Sequence, residues 1–289
     1  MMKPKVAICL VGEPRGIKSC IDSFYKFVAD PLEATIFYSF NRATPEDEQK
    51  ITLINKRVAF GELKEKPDLR KSLVPDSLYN KLQREDFYFQ SNWVGTVNGQ
   101  TGGVCYRHID FKRMAEIVAD KVQDFDYFVV TRTDFRYLFP IFDFSILKCH
   151  DIIKHKGFDN EAKTGMNWEF IICKAETILQ YLNSPFTFMN DEGLQDLLLG
   201  QISSRPRNNE SMQRVIAEFY EWHSAEMEIN GFISADSFDE RSTWGHVDQC
   251  GQTGMFFKYR DMYCTAIENE KKFQDCPNWR LDNNKILIG

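Results

Sequence analysis

Apolar residues along this chain fall into two rhythms. Some stand in short unbroken runs: Val6-Ala7-Ile8-Cys9-Leu10-Val11, Ala34-Thr35-Ile36-Phe37-Tyr38-Ser39-Phe40, and Tyr127-Phe128-Val129-Val130. Others recur every three or four residues, as at Ile17, Ile21, Phe24, Tyr25 and Val28, and at Phe111, Met114, Val118 and Val122. Runs of the first kind suit strands buried on both faces of a parallel sheet, and the second rhythm suits helices with one covered face. Each run stops at a polar or glycine-rich cluster: Gly12-Glu13-Pro14-Arg15-Gly16, Asn41-Arg42, and Thr131-Arg132-Thr133-Asp134. The chain therefore opens β-loop-α-β. A second helix, with Asp110 expected as its N-cap, feeds the Tyr127 strand. This is the pattern of an α/β, Rossmann-like protein with a central, mostly parallel sheet flanked by helices.

The remaining segments read less sharply. Residues 43–90 are charged with scattered apolar positions, among them Ile51, Ile54, Val58 and Leu69, and read as one or two surface helices. The charge run Glu62–Lys66 reads as a solvated face. Residues 90–107 are rich in Gly, Asn and Gln and carry Trp93 and Tyr106, a texture that suits sugar hydroxyls and sugar faces or simply a surface loop. Short strands are expected at Phe142–Leu147, at Asp151-Ile152-Ile153 and over Gly165–Cys173, the last with Trp168 and Glu169 near its start. A helix is expected over Ala175–Leu182, and Asp191 and Asn209 look like starts of two more. The polar segment Ser242–Gln249 holds His246 and Asp248. No repeat or linker divides the chain, so residues 1–289 read as a single domain, with 5–137 as one half and 138–289 as the other.

Composition narrows the functional classes. Apolar residues make up 43% of the chain, which places it among globular proteins. Net charge is −6 and no Lys/Arg run is present, which argues against a nucleic-acid partner. The eight cysteines form no CxxC pair, which argues against structural zinc, and Cys9 and Cys173 sit within strand-like runs as small core residues. A reducing, cytoplasmic setting is the expectation from that usage. The Val6–Val11 run is too short for a membrane span, and none of spanning length follows.

Candidate chemistry lies where the strands end, since ligands of open α/β sheets sit outside the carboxyl ends of their strands. The first loop lacks GxGxxG and the P-loop pattern, which disfavours dinucleotide enzymes, methyltransferases and Walker-type kinases. It offers Gly12, Gly16 and Arg15 just before a helix N-terminus, a geometry that suits a diphosphate or serves as turn chemistry only. Arg132 with Asp134 could bind a diphosphate and a hard divalent cation, or could be an ion pair that closes the strand end.

The opening VAICLVGEPRG, the amide-rich stretch, a helix, and then FDYFVVTRTDFRY together resemble the GT-A-type glycosyltransferase-like proteins of large DNA viruses, algal viruses among them, and of bacteria. Openings in that family read like ICLxGxPR and central strands like YDxVxRxRxD. The resemblance covers roughly residues 5–175. It implies a GT-A fold and transfer of a sugar from a nucleoside-diphosphate donor, a UDP-hexose or UDP-pentose, to a glycan acceptor, as in building a virus capsid or cell-surface glycan. Residues 5–137 would bind the nucleotide sugar and 138–289 the acceptor. Arg132-Thr133-Asp134 stands where many GT-A enzymes carry Asp-x-Asp. Asp134 would then hold Mn²⁺ or Mg²⁺, with His246 as a further ligand, or Arg132 would itself neutralise the diphosphate. Gly12, Arg15, Asn41, Arg42, Arg132 and Thr133 would line the nucleotide site. For an inverting reaction the candidate bases are Glu169, Asp191 and Asp248. The competing readings are a glycan-binding protein without catalysis, using Trp93, Trp168 and Trp244, and a nucleotidyltransferase on the same fold. Oligomeric state is open.

Overall fold

The apolar runs form the middle of a sheet, and the periodic segments form the helices that cover it. The computed structural model describes residues 3–42, 44–65, 103–141, 144, 150–155, 170–202, 209–236, 248–249, 256–257 and 259–275. In chain order the elements are β1 (Val6–Gly12), α1 (Ile17–Phe24), β2 (Thr35–Arg42), α2 (Asp47–Ile51), β3 (Val58–Glu65), α3 (Gly103–Val118), β4 (Tyr127–Thr131), β5 (Phe135–Tyr137), β6 (Ile152–His155), β7 (Phe170–Lys174), α4 (Ala175–Asn190), α5 (Glu192–Ile202), α6 (Asn209–Phe219), β8 (Ser224–Met227), β9 (Gly231–Ala235), β10 (Asp248–Gln249), β11 (Phe256–Phe257) and α7 (Arg260–Asp275).

Among the described residues the main sheet has seven strands in the order β3-β2-β1-β4-β7-β6-β8. Strands β3, β2, β1 and β4 are mutually parallel. Strand β7 runs antiparallel to both β4 and β6, and β8 is parallel to β6. The fold is therefore α/β with a mostly parallel central sheet. Strands from both expected halves of the chain share it.

The unbroken apolar character of β1 has a simple cause. Ile8 and Leu10 pack with Ile17 and Phe24 of α1 on one face, while Ala7, Cys9 and Val11 pack with Phe111, Met114 and Val118 of α3 on the other. Each fully buried aliphatic or aromatic side chain contributes roughly 1.5–3 kcal/mol, so a strand with no wet face has no room for alternation. A smaller sheet, β10-β11-β9-β5, lies on the α1 side. Phe135 and Phe232 from its strands join the same core as Ile8 and Phe24.

Three expectations change. Residues Val58–Glu65 form a strand rather than part of a surface helix, pairing with β2 through Phe37↔Phe60 and Phe40↔Leu63. Its charged residues mark the edge of the sheet, where one strand face stays wet. Asp110 is not an N-cap: α3 begins at Gly103 and Asp110 lies inside it. The helix expected to end at Leu182 continues to Asn190. The strand expected over Phe142–Leu147 falls almost wholly outside the described residues, as do Trp93, Trp168 and Trp244.

Candidate functional site

Among the described residues the order of the parallel strands reverses at β1. From β1 the chain moves outward to β2 and β3, then returns to place β4 on the other side of β1. Leu10 lies opposite Thr131, so β1 and β4 run out side by side. Their loops, Gly12–Gly16 and Arg132–Asp134, meet at that carboxyl edge, and α1 and α3 cover opposite faces of the sheet. This is the position at which doubly wound sheets bind ligands.

The two loops are tied to each other and to β9. Gly16 has a φ of 59°. A Cβ there would come within 2.4 Å of the Ser234 carbonyl oxygen and 2.7 Å of Asp134 Cβ, so only glycine fits this junction. The Thr133 hydroxyl sits 3.1 Å from the Glu13 carbonyl oxygen and 2.9 Å from that of Arg15, and bridges the loops. The Ser234 N–H donates to the Asp134 carbonyl oxygen at 2.8 Å. Beneath them the Thr131 and Tyr137 hydroxyls are hydrogen-bonded at 2.8 Å. Burial pushes the Tyr137 phenol well above its ordinary value, against the opposing pull of the Thr131 hydrogen bond.

Charged groups at this edge stand in pairs. Arg132 forks onto Asp134, with Nε donating to Oδ1 at 2.7 Å and Nη2 to Oδ2 at 2.6 Å. Arg15 Nε is 3.9 Å from Asp134 Oδ2 and 3.6 Å from Glu13 Oε2. One strand over, Asn41 Nδ2 donates to both oxygens of Asp110 at 2.8 Å. Arg113 Nη1 donates to Asn41 Oδ1 at 2.9 Å and lies 3.7 Å from the Asp110 carboxylate. Asn41 thus meets α3, and its amide orients Asp110. Arg42 turns away from this group, towards Glu48, with Nε 3.3 Å from Glu65 Oε1.

Of the residues expected from the sequence, Gly12, Arg15, Arg132, Thr133 and Asp134 come together at the switch point, with Asn41 on the neighbouring strand. Arg42 does not join them. Asp191 stands at the start of α5, where its Oδ1 accepts the Leu194 N–H at 3.0 Å, the capping role expected from its position. Glu169 and His246 lie outside the described residues, as does the side chain of Asp248.

Two features depart from the expected chemistry. The N-terminus of α1 already holds an anion: Asp236 accepts the Ser19 N–H at 2.7 Å and the Lys18 N–H at 3.2 Å. A diphosphate would have to displace it to reach those groups. The two Asp134 oxygens expected to face Mn²⁺ or Mg²⁺ face Arg132 instead, and the carboxylate is 2% exposed. Asp134 in this arrangement does not fit a metal ligand. The sequence reading missed Asp236, Glu13, Asp110 and Arg113. Glu13 was visible beside Arg15, but nothing local marks Asp236, which stands 217 residues from Ser19.

No protein-family model matches the chain, and no curated protein matches it. Among solved structures it is similar to the apo form of mouse xyloside xylosyltransferase 1, with a TM-score of 0.42 and 9% sequence identity over 78% of this chain and 85% of that one. A score that low carries no weight for the chemistry, which rests on the site itself.

Proposed function

We propose that this protein is a glycosyltransferase that moves a sugar from a nucleoside-diphosphate donor, a UDP-hexose or UDP-pentose, to a glycan hydroxyl. The observation that carries the reading is the convergence of Gly12–Gly16 and Arg132–Asp134 at the carboxyl ends of β1 and β4. Glycosyl transfer expels a nucleoside diphosphate through an oxocarbenium-like state. Catalysis then needs preorganised positive groups where that leaving charge develops. Guanidinium groups at a switch point are suited to it, because they meet phosphate oxygens two at a time. The strand ends also lack the glycine fingerprint of nicotinamide or methyl-donor enzymes.

The acceptor side belongs to the chain beyond β5. Inversion would require a carboxylate to take the acceptor proton. Glu169 is the favoured base, since it directly precedes Phe170, which lies opposite Thr131 at the end of β4. Capsid or cell-surface glycans are the acceptor class this reading carries.

A thermal-shift panel of UDP, GDP, NAD and S-adenosylmethionine tests the reading, because a ligand that binds only the native state raises Tm. UDP at a hundredfold excess over its Kd adds about 2.7 kcal/mol of stability. Stabilisation by UDP or GDP, and not by the other two, is the expected result. Stabilisation by a methyl donor or nicotinamide cofactor, or by no nucleotide, would overturn it, and the last outcome would favour the glycan-binding alternative.

A further inference from the structure

Every carboxylate described at the carboxyl edge of β1, β2 and β4 is already matched by a group of the protein. Asp134 faces Arg132, Glu13 faces Arg15, Asp110 faces Asn41 and Arg113, and Asp236 faces the N-terminus of α1. Among the described residues, no group of three or more His, Cys, Asp and Glu side chains is arranged to hold a metal ion.

The partners also differ in exposure. The Asp134 side chain is 2% exposed and that of Arg132 11%. Asp110 is 1% exposed against 17% for Arg113, and Glu13 is 18% against 24% for Arg15. In the Arg132–Asp134 and Arg113–Asp110 pairs the carboxylate is buried and the guanidinium is the more exposed partner. The cluster is close to neutral in sum, and Arg15 is the most exposed of these six side chains. Both Asp134 oxygens accept from the Arg132 fork. A dication seated on Asp134 would displace that fork. It would also stand beside two positive groups within 4 Å of the same oxygens, where like charges repel.

We infer that the donor diphosphate is bound without a divalent metal ion, by Arg15 and Arg132, with Asp134 as the positioning residue that holds both guanidinium groups from below. This rests on the nucleoside-diphosphate reading of these strand ends. The carboxylate takes the place that a metal-binding acid would hold in an acidic site and fixes the arginines instead. Charge on the leaving diphosphate is then met by hydrogen bonds from planar, preorganised forks.

Titration calorimetry of the full chain with UDP, in EDTA and in Mn²⁺, tests this, with uridine as the phosphate-free control. The expected result is UDP binding in EDTA within about threefold of that in Mn²⁺, a difference small on the scale of tenfold per 1.4 kcal/mol. Arg15→Gln, Arg132→Gln and Asp134→Asn should each weaken UDP by about tenfold or more, the loss of one charge-assisted hydrogen bond, and leave uridine binding unchanged. A variant that merely disturbs the fold would lower both. Arg15→Gln, the most exposed of the three, keeps the test intact if Asp134→Asn does not fold. UDP binding that requires Mn²⁺, or UDP binding indifferent to both arginines, would overturn the inference and leave the transferase reading standing. Binding of neither UDP nor GDP in either buffer would overturn the reading itself.

Discussion

Gly12 and Gly16 look alike in the sequence, two glycines bounding one short loop, and their surroundings separate them. Gly12 has a φ of 111°, and a Cβ built there meets nothing within 4 Å. Gly16 has a φ of 59°, and its Cβ would overlap Ser234 O and Asp134 Cβ. Gly12→Ala should therefore cost backbone strain alone, about 1–3 kcal/mol. Gly16→Ala should cost more, because the obstructing atoms include backbone that β9 and the β4–β5 turn cannot move separately. Urea unfolding of the two variants checks the order; equal losses would show that β9 yields freely. The sequence exposed the need for glycine at this loop but not which position carried the packing. That distinction depends on Ser234, more than two hundred residues away.

At the scale of elements, legibility follows burial. Strands β1, β2 and β4 announced themselves because both their faces are covered and nearly every position is apolar. Strand β3 did not. Its exposed Phe60 and charged Glu62, Lys64 and Glu65 reflect an edge, where polar residues are compatible with a ladder on one side. The pairing of β5 with β9, Phe135↔Ile233, joins segments too distant for any local pattern to signal. At the opposite edge of the main sheet, Asp151 clasps β6, β7 and β8. Its Oδ2 accepts the His223 N–H at 2.9 Å, and Oδ1 lies 3.4 Å from Lys174 Nζ. Burial pushes the Asp151 carboxyl upward, but the His223 and Lys174 contacts outweigh it and hold the group below its ordinary value. A carboxylate with a lowered folded pKa stabilises fully above its unfolded pKa, about 3.9. It loses that contribution as pH falls through the folded value. Solvent reaches the clasp, so its worth is about 1 kcal/mol or less. Asp151→Asn should narrow the stability gap between about pH 6 and about pH 2.5, seen in the urea midpoint. A gap unchanged by the substitution would assign the acid sensitivity to other carboxylates.

For the whole molecule, three cysteines report whether the layers open together. Cys9 lies in β1, Cys173 in β7, and Cys20 in α1; all are free and buried, while the free Cys264 of α7 is exposed. Burial pushes the thiols of Cys9, Cys20 and Cys173 well above their ordinary value, in Cys20 against the pull of the Ser19 hydrogen bond. Neither the thiolate nor a path to it exists for these groups in the folded state, so alkylation requires opening. Cys9 and Cys173 belong to the core between the main sheet and α3–α4. Cys20 lies on the other side, where α1 meets the smaller sheet through Asp236, Arg136 and Ser234. These cross-links bind α1 to β9 and β5, so the two layers should unfold as one. Mass-spectrometric mapping of iodoacetamide labelling along a urea series should find Cys264 modified at once. Cys9, Cys20 and Cys173 should follow together with the global transition. If Cys20 were labelled well before the other two, the α1 side would open alone, and the Asp236 contacts would be a weak seam between the sheets.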